Sequence, residues 1–512
     1  MKLIRSMVLI LCISALLCVF AGCDTGVVVE PDNSDITESE TNKSTTPKAT
    51  SPTIKYDEEA PEIAAEIPKY NGKEFDFSNI NVGQKSQMHV IKVTTADEYK
   101  AYLTELEKAG YSFYTDNTIG DNLYATYEND THIVNVMFIS AYEQVRVIVD
   151  EKSVFSLPGL EEENIYESTS DPSLTLLSDQ AVRWPGRMGY VYKLADGSFF
   201  IIDGGYTKIG DHGNSSSEYL MAVLDKYADD PNNIRISGWF ITHVHEDHFG
   251  AFLDMSRDKE LLKRITIEKF IYNSPSEKDL SEQSSNGSGL VSWGRLLEKA
   301  IAAWKPEAVI KAHPGQEFYI KNLKMTVYHS HELLLYSRMT LNSANNLRRD
   351  ISVHNNTSVV TKVDFMGKTT LYMADSSAIS NQYVLSPVYN KSLECDILQV
   401  AHHGYGDTAA GSVYQHISPQ MVFWPVCKGH YDGKNNDGSI YYENGKEYSG
   451  VINVGFNIQY LNGEDVVHYY HGEECITFED FETWEGIRWD AVPEEDEKTT
   501  DTNEENNNEE IA

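Results

Sequence analysis

Between residues 172 and 478, short apolar runs alternate with segments in which apolar residues recur every three or four positions. The runs at 199–202 and 239–242 are short enough to be buried strands, whereas residues 219–227 and 293–304 show helical spacing. Strands that alternate with helices along a chain are typical of an α/β domain. We therefore expect a layered domain with helices outside two packed sheets.

A smaller unit over residues 69–155 precedes this domain. Thr95 followed by Glu98 has the pattern of a capping box at a helix start, and Gly110 is placed to end that helix. Strand-like runs with alternating apolar residues occupy residues 111–150. The pattern predicts a small α+β domain, an antiparallel sheet backed by one helix. No cluster of catalytic residue types stands out in it, so we expect an accessory role.

The first 23 residues, 1–23, have the pattern of an export signal. Lys2 and Arg5 precede an apolar run at 7–20, which is too short to span a bilayer comfortably. The run ends in Phe-Ala-Gly-Cys23, which is similar to the bacterial lipobox. We therefore expect a lipid on Cys23 that anchors an exported protein at the outer face of the bacterial cytoplasmic membrane. The alternative is a plain signal peptide, or an uncleaved anchor, that ends in Cys by chance.

The two ends of the mature chain differ in composition from the domains between them. Residues 24–68 are rich in Ser, Thr, Pro and acidic residues, which is typical of a disordered tether. Residues 479–512 are acidic and polar, and predict a disordered tail that either solvates the protein or binds a cation or partner. The whole chain has a formal net charge of −36. Because such a surface repels phosphate backbones, we do not expect nucleic acid as a partner.

The densest group of metal-binding residue types is the run Thr-His-Val-His-Glu-Asp-His at 242–248. Imidazole and carboxylate are the usual protein ligands of zinc and similar divalent ions. His243 and His245 alternate, so they leave an extended segment on the same side. Asp247 and His248 come where a helix can begin, and can face a second ion nearby. The pattern predicts a site for two metal ions.

This His-x-His-x-Asp-His string resembles the signature of the metallo-β-lactamase superfamily. The resemblance implies an α/β fold, an αββα sandwich that follows the small α+β domain. It also implies two divalent metal ions as cofactors, zinc or else manganese or iron. The reaction would be hydrolysis by a hydroxide formed on the metals, for which no protein nucleophile is needed.

Two further acids match the pattern of that superfamily. Asp203, in Ile-Ile-Asp-Gly-Gly, lies upstream of the histidines, and the resemblance implies that it holds the metal-binding loop through hydrogen bonds. Asp375 ends the strand-like run Leu-Tyr-Met-Ala-Asp, and the resemblance implies that it bridges the two ions. Ala374 departs from the family, which often has glycine before this acid.

The remaining ligands are histidines, for which the resemblance leaves alternatives. His403 stands directly before Gly404 and matches the last ligand best; the reverse assignment with His402 stays open. We expect His402 beside the ions, where it can contact substrate or carry a proton. His331 is our choice for the third histidine of metal one, with His329, or no histidine, as alternatives. Metal one would be bound by His243, His245 and His331, and metal two by Asp247, His248 and His403, with Asp247 and His402 expected to act in catalysis.

Two runs are similar to one branch of the superfamily. Asn-Asn-Thr-Ser at 355–358 and His-His-Gly at 402–404 resemble the competence-protein type of hydrolase domain and the choline-phosphate esterases. That resemblance implies phosphodiester or phosphoester bonds in a small molecule or an envelope polymer. Asn356 and His430 are candidates to contact substrate, with a place in a surface loop as the alternative for His430.

Three functions are open at this point. The first is hydrolysis of a phosphodiester or phosphoester outside the cell. The second is hydrolysis of a carboxylic bond, as in a lactam, lactone or thioester, because loops rather than the scaffold decide the substrate. The third is a non-catalytic surface protein that binds metal without turnover. The nearly complete set of ligand types argues against the third function.

Overall fold

The structure is a computed structural model, and the predicted lipidation site Cys23, the predicted acidic tail and most of the predicted tether lie outside the residues it describes. Those residues are 63, 67–162, 172–177, 188–207, 216–281, 287–335, 354–405, 413–435, 437–443, 445–461, 463, 466–470 and 475–477. Among them, no helix combines the length and apolar character that a membrane crossing requires.

The N-terminal part is a six-stranded antiparallel sheet with one helix on its face. The strands are β1 (Phe77–Asn81), β2 (Ser86–Lys92), β3 (Ser112–Ile119), β4 (Asn122–Glu128), β5 (His132–Ile139) and β6 (Gln144–Glu151), in the spatial order β1-β2-β6-β5-β4-β3. Helix α1 (Ala96–Lys108) begins at the predicted capping box. The Glu98 N–H donates to Thr95 Oγ1, and the Thr95 N–H donates to the Glu98 carboxylate, each at 3.2 Å. The predicted sheet with a single helix is confirmed.

Two mixed sheets follow. The first sheet contains β7 (Ser173–Leu176), β8 (Gly189–Lys193), β9 (Phe199–Asp203), β10 (Ile234–Ile241), β11 (Ile265–Ile267), β12 (Lys269–Tyr272), β13 (Ala308–Lys311) and, from the far end of the chain, β23 (Cys475–Thr477). The second sheet contains β14 (Glu317–Ile320), β15 (Leu323–His329), β16 (Val360–Phe365), β17 (Lys368–Tyr372), β18 (Ile397–Gln399), β19 (Met421–Trp424) and β22 (Val467–Tyr470). Residues 442–443 and 446–447 form a small separate hairpin, β20 (Tyr442–Glu443) and β21 (Lys446–Glu447).

The strand order in each sheet shows how the chain crosses over. The first sheet has the order β13-β12-β10-β9-β8-β7-β23, with β11 beside β10, and the second has the order β14-β15-β16-β17-β18-β19-β22.

The described helices after α1 are α2 (Ser216–Tyr227), α3 (Glu246–Met255), α4 (Leu261–Arg264), α5 (Glu277–Ser281), α6 (Gly287–Trp304), α7 (His331–Leu334), α8 (Ala378–Ser380), α9 (Tyr414–Ile417), α10 (Lys428–Asp432) and α11 (Gly455–Leu461). A further helical stretch spans Asn381–Tyr389.

The two sheets face each other across one apolar core. Phe200 of the first sheet and Phe423 of the second belong to this core. Because side chains alternate along a strand, Ile201 points to the opposite face, where it packs with residues of α2, α3 and α6. The stretch Asn381–Tyr389 packs with α9 and α11 on the outer face of the second sheet. These layers are the αββα sandwich that the sequence predicts.

The N-terminal sheet shares a core with the sandwich. One of its faces packs against α1, through residues such as Val147. Its other face, with Met88 and Ile148, packs in one cluster with Leu371 and Trp424 of the second sheet. The small unit, predicted as an accessory domain, is therefore packed directly on the outer side of the sandwich.

Candidate metal centre

The carboxyl ends of neighbouring strands bring the candidate ligands together. β9 and β10 are parallel neighbours in the first sheet, and β17 and β18 are parallel neighbours in the second. Asp203 is the last residue of β9, and the histidine motif starts two residues after β10. Asp375 and His403 follow β17 and β18 within four residues. Ligands that are far apart in sequence thus reach one edge of the sandwich.

Among the described residues, two groups of side chains have ligand atoms close enough to hold a metal ion. His243, His245 and Asp375 form one group, and Asp247, His248, Asp375 and His403 form the other, each with its ligand atoms within 4.8 Å of one another. Asp375 belongs to both groups. Its Oδ2 lies 3.2 Å from His248 Nε2 and 3.9 Å from His243 Nε2, and its Oδ1 lies 3.7 Å from His403 Nε2.

Three atoms of this centre test whether a cation fits. His248 Nε2, His403 Nε2 and Asp375 Oδ1 are buried, and no atom of the described chain hydrogen-bonds to them. The other ring nitrogens are occupied, since His248 Nδ1 lies 2.8 Å from Asp203 Oδ2 and His403 Nδ1 lies 2.8 Å from the Pro425 carbonyl oxygen. Leaving such a buried atom unbonded costs about 1–3 kcal/mol. A divalent cation would satisfy all three, so the residues fit a metal ion.

The protonation of His243 and His245 agrees with a role as ligands, whereas a metal ion at His248 would have to replace a proton. Burial lowers the pKa of His243 well below its ordinary range and that of His245 to about 4, so both rings are neutral at pH 7. Burial also opposes charge on His248, but Asp375, Asp203 and Asp247 outweigh it and raise the pKa of His248. A proton on His248 and a metal ion would therefore occupy the same place between Nε2 and Asp375.

Asp203 holds the centre in place through hydrogen bonds to Thr242 and His248. Its carboxylate accepts hydrogen bonds from the Thr242 N–H (2.8 Å) and the Thr242 hydroxyl (2.9 Å), besides its contact with His248 Nδ1. Thr242 stands directly before His243, so these bonds fix the start of the histidine motif. The structure places Asp203 where the predicted hydrogen bonds to the metal-binding loop can form.

Several backbone positions at the centre are in the left-handed region. Asp203 (φ 58°), Ala374 (φ 48°), His402 (φ 45°) and His403 (φ 57°) all have positive φ. A left-handed residue with a Cβ costs roughly 1–2 kcal/mol, and such positions often mark functional sites. The positive φ of Ala374 gives a physical reason why glycine would suit the position before the bridging acid.

His331 does not reach either metal group, which corrects our choice for the third histidine. Its Nε2 donates to the Val82 carbonyl oxygen of the N-terminal unit at 3.1 Å, so that nitrogen is already used. The alternative, His329, donates from Nε2 to the Asn356 carbonyl oxygen, also at 3.1 Å. His331 thus contacts the N-terminal unit and His329 contacts the turn that contains Asn356, and neither belongs to a metal group among the described residues.

His354 is the residue that our sequence reasoning missed. Its ring centroid lies 4.6 Å from that of His245 and 5.4 Å from that of His243. Its Nε2 accepts a hydrogen bond from the Val244 N–H at 3.2 Å. A signal was present, since His354 directly precedes the Asn355-Asn356 run that resembles a branch of the superfamily.

His402 lies at the open side of the centre. Its Nε2 is 3.8 Å from Asp375 Oδ2, and its side chain is 24% exposed, whereas that of His403 is 3% exposed. Asn355 Nδ2 donates to His402 Nε2 at 3.2 Å, which leaves the ring proton on Nδ1. His403 is the residue in the metal group, and His402 is the one that a substrate can reach.

The two predicted substrate contacts, Asn356 and His430, are both buried. Asn356 Oδ1 accepts a hydrogen bond from the Ser377 hydroxyl, two residues after Asp375. His430 Nε2 lies 3.3 Å from the Tyr441 hydroxyl, and the residue is fully buried rather than part of a surface loop. Neither side chain is exposed to a substrate in this structure.

Comparison with known proteins gives structural likenesses alone. No family model matches the chain, and no curated protein matches it. The solved structure of CmlA, a diiron β-hydroxylase from Streptomyces venezuelae, is 12% identical with a TM-score of 0.34, and the match covers 60% of this chain and 55% of that one. The metallo-β-lactamase fold protein YhfI from Bacillus subtilis is 12% identical with a TM-score of 0.29, covering 49% of this chain and 85% of that one.

A metallo-β-lactamase from Cronobacter sakazakii is also 12% identical, with a TM-score of 0.24 and coverage of 46% of this chain and 78% of that one. The chain thus spans about half the length of the CmlA structures that it resembles.

Proposed function

We propose that this chain is a hydrolase that uses two divalent metal ions and acts on a phosphodiester or phosphoester in an extracellular or cell-envelope substrate. The position of Asp375 carries the proposal. This buried carboxylate belongs to both metal groups, and one of its oxygens has no hydrogen-bond partner among the described residues. A carboxylate that belongs to two groups of metal-binding side chains is suited to hold two ions at once.

The charge of the centre favours an anionic substrate. Two divalent ions would bring four positive charges to a ligand set that contains two carboxylates, Asp247 and Asp375. The four histidines of the groups are neutral when they coordinate a metal, and Asp203 below them offsets one more charge. The centre would remain positive, although the whole chain has a net charge of −36. A phosphodiester carries the complementary negative charge.

Two ions held by these residues would make a water molecule acidic enough to act as a nucleophile near neutral pH and would stabilise negative charge on substrate oxygens. The protein side chains have separate tasks. Asp203 and Thr242 hold the histidine motif in place. His402 lies at the open side of the centre and is held there by a hydrogen bond from Asn355, so it is placed to contact the substrate.

Location outside the cell follows from the predicted signal and the predicted lipid on Cys23. Export would place the centre beside envelope polymers and phospholipid headgroups. The strongly acidic chain does not favour nucleic acid as the substrate.

The test is an assay of the chain without residues 1–23 on bis-p-nitrophenyl phosphate and, in parallel, on an uncharged lactone, with zinc or manganese added. We expect metal-dependent hydrolysis of the phosphodiester. Asp375→Ala should abolish it, and His402→Gln should lower kcat/KM by about 10-fold, the size of one lost hydrogen bond to a charged group. His416→Gln, at a half-buried histidine outside both metal groups, is the matched control.

Turnover of the lactone alone would contradict a phosphodiester as the substrate and would favour a carboxylic substrate. If metal binds at the centre but neither substrate is turned over, the result would favour a non-catalytic surface protein that binds metal. Turnover that persists in Asp375→Ala would contradict the centre itself.

A further inference from the structure

Arg146 is a buried charge at the border between the N-terminal sheet and the sandwich. It lies on β6, and its side-chain direction alternates with Val145 and Val147, which pack against α1. Arg146 therefore points to the face that packs on the sandwich, and it is fully buried (0% exposed). A buried guanidinium is costly unless its N–H groups are bonded. Its presence here indicates bonds that an apolar residue could not make.

Those bonds hold the backbone of one turn of the sandwich. Arg146 Nη1 donates to the carbonyl oxygens of Leu335 (2.6 Å) and Glu332 (3.1 Å), and Nη2 donates to that of Leu333 (3.4 Å). These carbonyls lie at the carboxyl end of α7, where they have no donor within the helix. Arg146 thus binds the main chain of residues 332–335 directly, through three carbonyl groups.

The same turn has other bonds to the N-terminal unit. His331 Nε2 donates to the Val82 carbonyl oxygen at 3.1 Å. The Glu332 carboxylate lies 3.0 Å from His313 Nδ1, and His313 Nε2 lies 2.7 Å from Asp150 Oδ2 on β6. The turn is therefore fixed to the N-terminal sheet by both its main chain and its side chains.

His329, two residues before α7, connects this turn to the metal centre. His329 Nε2 donates to the Asn356 carbonyl oxygen at 3.1 Å. Asn356 belongs to the turn His354–Thr357, and two other residues of this turn contact the centre. Asn355 donates a hydrogen bond to His402, and His354 accepts one from the N–H of Val244, which lies between the first two histidines. A short path of hydrogen bonds and main-chain segments therefore runs from the N-terminal sheet to both sides of the metal centre.

We propose that Arg146 is a positioning residue for the metal centre, and that the N-terminal sheet is a working part of the hydrolase. By holding residues 332–335, Arg146 keeps His329 against Asn356, and the turn His354–Thr357 against Val244 and His402. This inference rests on the proposed metal centre. It goes further in assigning a task to the N-terminal unit, for which the sequence indicated only an accessory role.

The test is a cobalt(II) titration of the protein, followed by the visible absorption spectrum of bound cobalt and by far-UV circular dichroism. Arg146→Met keeps the bulk of the side chain and removes its donors. We expect it to stay folded, to bind the weaker of two cobalt ions about 10-fold less tightly, and to show a changed spectrum. Arg146→Lys, which keeps a charged donor, should recover part of the affinity. Arg235→Met, at a partly exposed ion pair with Asp196, is the matched control and should bind cobalt as the wild type does.

A second pair of variants covers the case in which Arg146→Met does not fold. His329→Leu removes the bond to Asn356, whereas His329→Gln keeps a donor, so we expect the same loss in the first and recovery in the second. Unchanged cobalt affinity and spectrum in folded Arg146→Met, or in His329→Leu, would overturn the proposal. A wild-type protein that binds no cobalt would instead overturn the proposed metal centre, which separates the two failures.

Discussion

The carboxylate of Asp203 connects the end of β9 to His248, since Asp203 Oδ2 lies 2.8 Å from His248 Nδ1. This contact orients the ring so that Nε2 points at Asp375, 3.2 Å away. The same oxygen accepts from the Thr242 hydroxyl, so one buried acid holds both ends of the histidine motif. Bonds of this kind set the direction of a metal ligand before any metal binds.

Replacement of this acid should weaken metal binding without removing a ligand. In Asp203→Asn one carboxylate oxygen becomes an NH2 group, which cannot accept a hydrogen bond from Thr242 or His248, so we expect metal affinity to fall by about 10–100-fold. Competition with a chelator measures the change. Asp196→Asn, which removes a carboxylate bonded to Ser198 and Arg235, should leave the affinity unchanged. Equal affinities in both variants would show that Asp203 does not orient the ligands.

Replacement of Ala374 by glycine should stabilise the folded protein. Its φ of 48° is unfavourable for a residue with a Cβ, so Ala374→Gly should raise the free energy of unfolding by about 1 kcal/mol. Ala125→Gly, in the buried strand β4, should instead lower the free energy of unfolding by about 0.5–1 kcal/mol. Glycine inside a strand loses more conformational freedom on folding than alanine does. Urea denaturation of both variants tests this. A destabilised Ala374→Gly would contradict the backbone strain that we assign to this position.

His313 should make stability depend on pH above neutrality. Burial disfavours its charge, but Glu332 and Asp150 outweigh this and raise the pKa of His313 to about 9. A raised pKa in the folded state adds stability that is complete below the ordinary value near 6.5. That stability is lost as pH rises through about 9, and is on the order of 3 kcal/mol.

Denaturation of the wild type at pH 7 and pH 10 measures this loss. His313→Gln has no charge to lose, so its free energy of unfolding should change less between the two pH values. The Lys311 ammonium also faces Glu332, at 3.6 Å, and its charge is common to both proteins. An equal pH dependence in wild type and His313→Gln would exclude the Asp150–His313–Glu332 contact as its cause.

Local spacing in the sequence was enough to find most of the candidate centre. His243, His245, Asp247 and His248 lie in one run, where a strand meets a helix, and their geometry follows from that junction. Asp375 and His403 each follow a buried strand, so an edge of parallel strands brings them to the same place. The αββα layers likewise follow from strands that alternate with helices.

The rest depends on contacts that no local pattern contains. His354 is a single histidine whose position beside His245 is decided by how residues 354–357 cross the end of β10. Arg146 and Asp150 alternate with valines as in any strand with one exposed face, yet both are buried by the sandwich. Their burial follows from the packing of the N-terminal sheet on the second sheet, a contact between parts of the chain that are far apart in sequence.

The central claim is that Asp375 holds two ions, and the metal content of four purified proteins tests it most directly. His245 belongs to one group and Asp247 to the other, whereas Asp375 belongs to both. We predict about two metal ions per chain in the wild type, about one in each of His245→Ala and Asp247→Ala, and less than one in Asp375→Ala. Elemental analysis that finds Asp375→Ala no poorer in metal than the two other variants would contradict a shared carboxylate and the two-ion centre.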